Sequence, residues 1–291
     1  QVELSAGWGQ TGIVGRVGLK FTNFSMQNLF GKGAKRAGFI PQGDGQTLQI
    51  NGQTNGTYFQ SYSLSFLDPW FGGKRPNQFS VSLYYSKQSD VNSNYYNNYN
   101  NIYNYMYGYG TTGNYYNYTD YYDPDKYVKM LGASIGFGKR LTWPDDYFTL
   151  YGQIAYLNYN LSHWDYFALN TGVANNFNIS VILSRNSLNQ PIYPSRGSDI
   201  SLSLALTPPY SLWDGIDYEH ADQQTKYRWI EYYKIKFKSR FFVPLTPDNK
   251  LVLMGRAEFG FLGYYNINKR SPFETFWVGG DGMSGYSSTY A

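Results

Sequence analysis

The chain has 291 residues, a formal net charge of +4 and no cysteine, which excludes disulfide frameworks and thiolate metal sites and leaves too little, too dispersed charge to argue for nucleic acid. Aromatic residues reach 20%, with 32 Tyr, while charged residues are only 15%, and no run approaches the roughly 18 consecutive apolar residues that a membrane-spanning helix needs. Abundant Tyr, Gly, Asn and Ser with few charges fit an all-β, transmembrane antiparallel β-barrel, whose apolar residues take alternate positions; a secreted β-sandwich or propeller is the alternative.

No signal peptide is visible, because Gln1 leads straight into an alternating strand, so a mature protein or an excised part of one is expected. In Val2–Gly9, the residues Val2, Leu4, Ala6 and Trp8 face one way and Glu3, Ser5 and Gly7 the other. Gln10-Thr11-Gly12 makes a tight turn, and Ile13–Thr22 returns with Ile13, Val17, Leu19 and Phe21 opposite Arg16 and Lys20. Asn28–Gly33 reads as a turn and residues 34–46 as irregular. Alternation resumes in Thr47–Asn55, Ser61–Leu67 and Gln78–Tyr85, with an aromatic turn at Asp68–Gly72. Residues 89–125, including YYNNYNNIYNYMYGYG, break the pattern and are expected to form a long external loop. Sugar binding by its tyrosines is a weaker reading.

Tyr127–Arg140 sets Leu131, Ala133, Ile135 and Phe137 against Gly132, Ser134, Gly136 and Gly138. Phe148–Tyr159, Phe177–Leu183 and Ile200–Leu206 follow, separated by a loop over Asn160–Gly172 and a turn at Tyr193–Ser198. Pro208–Arg228 is a longer loop. In Trp229–Val243, the residues Trp229, Tyr233, Ile235, Phe237, Phe241 and Val243 share one face, interrupted by Glu231 and Ser239. Lys234, Lys236, Lys238 and Arg240 share the other. Four cations on one face cannot line a dry core, so that face must be wet. Leu251–Phe261 is the last strand, and residues 265–291 run into the glycine-dense FWVGGDGMSGYSS.

Eleven strands are thus expected. Short turns near Asn28, Asp68, Thr142, Tyr193 and Pro244 generally alternate with longer connections, the asymmetry of outer-membrane barrels. Several stretches carry a resemblance to a known family. They are ELSAGWGQTGIVGRVGLKFTNF with NLFGKG, then SLSFLDPWF, then SRNSLNQPIYPSRGSDISLSLAL with its P-x-x-G-S turn, and finally FETFWVGGDGMSGY. In this order they resemble the BamA outer-membrane assembly insertases. The resemblance implies a sixteen-stranded barrel preceded by POTRA domains. On that reading, residues 1–291 are a partial barrel of strands one to eleven, residues 89–125 are an external loop and residues 265–291 start the sixth one. POTRA domains before Gln1 and further strands after Ala291 are then expected.

The resemblance also implies the function: insertion of β-barrel proteins by β-augmentation at a lateral gate, with Val2, Glu3, Leu4, Ser5, Ala6, Gly7, Trp8 and Gly9 as its first strand. Gly7 and Gly9 would weaken that strand and favour opening, or else serve ordinary barrel bending. Gly279, Gly280, Met283, Ser284, Gly285 and Tyr286 match the sixth-loop motif, with Ser284 where family members carry an arginine. Implied partners are unfolded outer-membrane proteins, accessory lipoproteins, surface-exposed subunits of an assembly complex, and the lipid and lipopolysaccharide of a Gram-negative outer membrane. Neither cofactor nor metal is expected. A porin or nutrient channel is the alternative, with the stripe Lys234, Lys236, Lys238 and Arg240 selecting anions rather than pairing with neighbouring acids in a hydrated lumen. An enzyme is the third reading, with no catalytic residue to support it: His163 and His220 sit in expected loops, outside any nucleophile or zinc motif.

Overall fold

The computed structural model describes residues 1–9, 12–30, 36–37, 40–56, 58–73, 77–91, 122–278 and 289–290. Eleven strands form one antiparallel sheet in which spatial order follows chain order. Numbered β1 to β11, they are Val2–Gly9, Gly12–Phe24, Gln46–Asn55, Phe59–Asp68, Asn77–Val91, Tyr122–Arg140, Phe148–Ser162, Gly172–Asn186, Gly197–Leu206, Tyr233–Pro244 and Val252–Gly263. All eleven expected strands are present. Several are longer than alternation predicts. β5 continues through Ser86–Val91 and β8 starts at Gly172 rather than Phe177. Alternation marks only the stretch where one face is apolar, and these extensions carry polar residues on both faces.

The apolar faces point outward. Leu4, Ile13, Val17, Leu131, Ile135, Leu253 and Phe259 are all exposed, Leu4 to 74%. The buried apolar residues lie instead at strand ends and in connections, as at Phe24, Leu161, Trp164, Leu169, Tyr218 and Ile230. Leaving one such side chain in water costs about 1.5–3 kcal/mol. A sheet that exposes rows of them needs an apolar medium on that side, as a membrane barrel has.

The chain divides into two compact units. The first comprises Gln1–Phe66, Ser82–Ala133 and Leu157–Ala174. In it, the expected turn at Asn28 is partly a helix, α1, Met26–Phe30. Buried Ser25 caps it: its Oγ accepts the Asn28 N–H at 3.0 Å and donates to Asp44 at 2.5 Å. On the polar face, a Cβ on Gly132 would overlap the Tyr84 ring, so the glycine makes room for the neighbouring strand's tyrosine.

The second unit comprises Leu67–Val81, Ser134–Tyr156 and Asn175–Ala291. Gly136 repeats the device under Tyr151, whose hydroxyl lies 3.0 Å from Ser80 Oγ. The expected strand Trp229–Val243 begins only at Tyr233. Trp229 and Ile230 instead bridge to Asn175, whose carbonyl accepts the Ile230 N–H at 2.9 Å. The loop Pro208–Arg228 holds a 3-10 turn, Tyr210–Leu212, and a helix, α2, Gln223–Tyr227, capped by Asp222.

The turn between β8 and β9 is closed by Arg185. It pairs with Asp145 at 2.9 Å and donates to Ser187 and Ser198 at 2.9 and 2.6 Å. Gly197, of the P-x-x-G-S stretch, has φ of 103° and sits where a Cβ would overlap the Ser187 carbonyl. Both facts demand glycine. Gly197→Ala is therefore expected to cost about 1–3 kcal/mol, read as a lower urea midpoint of the refolded full-length protein. Gly152→Ala, whose new methyl meets nothing within 4 Å, is the matched control and leaves the midpoint unchanged. Equal effects of the two would contradict this account of the turn.

Candidate functional site

Two places stand out: the outer edge of β1, which pairs with no further strand among the described residues, and the charged polar face of β10. In the described sheet, the order begins at β1, which pairs with β2 from Val2↔Leu19 to Gly9↔Gly12. Gln1 and Lys20 exchange both backbone hydrogen bonds, each 2.9 Å. Antiparallel ladders alternate between pairs that exchange two bonds and pairs that exchange none. Counting from Gln1, the residues Glu3, Ser5 and Gly7 direct their N–H and C=O groups to β2. Val2, Leu4, Ala6 and Trp8 then direct theirs to the opposite edge. The sequence located this strand but could not say which of its residues offer their backbone.

The outer face beside this edge is thinly covered. Leu4, Ala6, Gly15, Val17, Gly52 and Tyr62 line an open groove of about 630 Å³. Gly15 leaves space that no atom fills within 4 Å, and the Tyr62 ring lies over Gly52. Small residues in adjacent strands create this hollow next to the edge.

On β10, the four expected cations do share one face, and each meets a neighbour. Lys234 donates to Glu274 at 2.8 Å and to the Thr275 carbonyl at 3.1 Å. Lys236 stands 5.8 Å from the centre of the Phe276 ring. Lys238 is in register with Glu258 of β11, which also takes Arg256 at 2.6 Å. Arg240 forms an ion pair with Asp199 of β9. The Phe276 ring lies against Gly260, where a Cβ would overlap it. The segment after β11 thus folds back over the charged face of β10 and β11. Burial pushes the Tyr232 phenol up from its ordinary range, and the Glu274 carboxylate adds to the rise.

Above that contact lies a group that the sequence reading missed. Lys269 and Glu231 are fully buried, at 2% and 1% exposure, and their charges meet at 2.8 Å. Alternation makes Glu231 a break in the apolar face of a strand; in the structure it lies just before β10 and is buried. Its carboxylate also accepts the Ser211 N–H, and the Ser211 hydroxyl at 2.7 Å. Lys269 Nζ donates to the Tyr218 hydroxyl at 2.9 Å and lies 4.3 Å from that ring's centre. Tyr218 in turn donates to Asp214. Burial, then the Asp214 bond, pushes the Tyr218 phenol well up. A lysine and a glutamate 38 residues apart leave no periodic trace in a sequence.

The other expected site residues fall elsewhere. Gly279, Gly280, Met283, Ser284, Gly285 and Tyr286 lie outside the described residues, as do residues 92–121 and the Trp8 side chain. His163 is exposed, 3.2 Å from Ser162 Oγ, and His220 is exposed beside Asp217 at 2.8 Å. With Glu219, the last two form an exposed cluster on the loop surface. Lys234 and Glu274 are largely shielded from water. A double-mutant cycle to alanine, read by urea titration, is expected to give a coupling of about 1–3 kcal/mol. Exposed Lys238→Ala should stay within about 0.5 kcal/mol. No coupling between Lys234 and Glu274 would show that the folded-back segment is not held there.

Comparison with known proteins places this geometry. The crystal structure of BamA from Haemophilus ducreyi lacking POTRA domains 1–3 superposes with a TM-score of 0.55 at 16% identity. The match covers 97% of this chain and 50% of that one, so the chain spans about half the length of the protein it resembles. At that identity the likeness establishes the fold, a BamA-like barrel wall. The Omp85 superfamily domain matches residues 42–290, from β3's approach to the end of the described chain. By this match, the chain belongs to the Omp85 superfamily.

Proposed function

We propose that this chain is part of an outer-membrane insertase that folds β-barrel proteins by strand pairing at β1. The observation that carries this reading is the outward row of backbone groups at Val2, Leu4, Ala6 and Trp8. Such a row pairs with an extended partner without side-chain chemistry. Family membership and the BamA-like fold support it, as do apolar faces that require lipid on one side. The thin wall of Ala6, Gly15 and Gly52 beside β1 supports it further, because few side chains obstruct an incoming strand there.

On this reading, unfolded outer-membrane proteins are substrates, and lipoproteins and surface-exposed subunits complete the assembly. The protein resides in the outer membrane, with lipid and lipopolysaccharide around it. Residues 265–291 begin the sixth external loop, and Gly279, Gly280, Met283, Ser284, Gly285 and Tyr286 form its motif. The stripe of Lys234, Lys236, Lys238 and Arg240 lines a hydrated interior. Its pairing with Glu274 and Asp199 supports a structural wall over an anion-selective path. A porin would instead show stable, large, anion-selective steps in single-channel recordings.

The test uses the full-length protein with a thiol placed by Glu3→Cys or Ser5→Cys and a stalled, cysteine-bearing substrate barrel. Disulfide adducts are expected at both positions. Adducts at a Ser201→Cys control, in mid-sheet, with none at Glu3 or Ser5, would overturn the proposed role of β1.

A further inference from the structure

We infer that Lys269 and Glu231 are positioning residues that clamp the base of the sixth loop onto the preceding external loop. The inference rests on the proposed reading of residues 265–291 as that loop. Lys269 sits on the short turn Ile267–Lys269, six residues beyond the end of β11 at Gly263. Its ammonium reaches back to Glu231 and Tyr218, both in the connection between β9 and β10. The groups it meets are hydrogen-bonded in their turn. Glu231 takes Lys269 and both donors of Ser211, and Tyr218 accepts from Lys269 while donating to Asp214. Tyr265 adds a second tie, from its hydroxyl to the Thr207 carbonyl at 3.1 Å.

A lysine that is 98% hidden pays a large desolvation penalty unless a charge and hydrogen bonds replace its water. Here they do, and all of them come from one connection. Removing one charge alone strands the other in the protein interior, so losing either partner loosens the attachment more than replacing both with apolar side chains. Further along, Lys234 and the Phe276–Gly260 contact continue the same attachment down the face of β10 and β11. Among the described residues after β11, the shielded charges that tie this segment to the sheet and its connections are Lys269 and Glu274.

The experiment follows trypsin cleavage after Arg270, the exposed residue beside Lys269. Full-length Lys269→Met, Glu231→Gln and the double variant Lys269→Met/Glu231→Leu are compared with wild type, in intact cells and as folded protein in detergent. Heat-modifiable migration reports whether the barrel is folded. Each single variant is expected to keep that migration yet be cut on the order of tenfold faster or more, and the double apolar variant to regain most of the protection. A structural defect spread over the barrel would not be rescued in this way. Wild-type cleavage rates in the detergent-solubilised single variants would overturn the clamp. Faster cleavage in detergent with none in intact cells would keep the clamp and overturn the loop assignment instead. Should the single variants not fold, Tyr218→Phe, which removes only a hydroxyl, decides: faster cleavage supports the clamp and an unchanged rate overturns it.

Discussion

Backbone N–H and C=O groups must be satisfied wherever water is absent, and the rest of this structure depends on how that requirement is met. Along β2 to β10, each strand is paired on both sides within the sheet. The apolar faces of these strands can then turn outward, since no polar backbone is left for lipid to meet. The same requirement makes β1 consequential. In an apolar medium, the outward groups of Val2, Leu4, Ala6 and Trp8 must find another strand. That strand is either part of the same protein or one arriving from elsewhere. On the proposed function, that partner is the incoming strand of a substrate.

The charged face obeys the complementary rule. Lys234, Lys236, Lys238 and Arg240 are tolerable because the sheet's second side is wet and supplies acids. Asp199 and Glu258 come from the flanking strands, and Glu274 from the segment that folds back. Gly136 and Gly260 leave room for the Tyr151 and Phe276 rings in the second unit, as Gly132 does for Tyr84 in the first. At the loop end the balance changes: Lys269 and Glu231 are removed from water, and their mutual bond with those to Tyr218 and Ser211 takes its place.

The sheet was legible in the sequence because side chains in a strand alternate with a period of two. Val2 to Trp8 and Tyr62 to Phe66 show it with few exceptions. Strand ends were not legible, since Ser86–Val91 is polar on both faces and gives no contrast. Trp229 to Tyr232 misled in the other sense, because aromatic residues continued the pattern past the point where the strand begins. The basic stripe could be read from spacing, but its partner Glu274 could not. Nor could the Lys269–Glu231 pair, which depends on two connections meeting in space. The first strand was legible from alternation and its proposed role from resemblance; which of its residues turn their backbone groups away from β2 follows only from the Gln1–Lys20 register.

That register also gives the most direct test of the central claim. Proline at position 4 removes one outward N–H and leaves the β1–β2 bonds of Glu3 and Ser5 in place. The full-length protein, reconstituted in liposomes, is given an unfolded outer-membrane barrel, and the rate of its insertion is followed by protease protection. Leu4→Pro is predicted to insert about tenfold more slowly than Leu4→Ala, roughly the worth of one hydrogen bond. Equal rates for the two variants, with both barrels folded, would contradict strand pairing at β1.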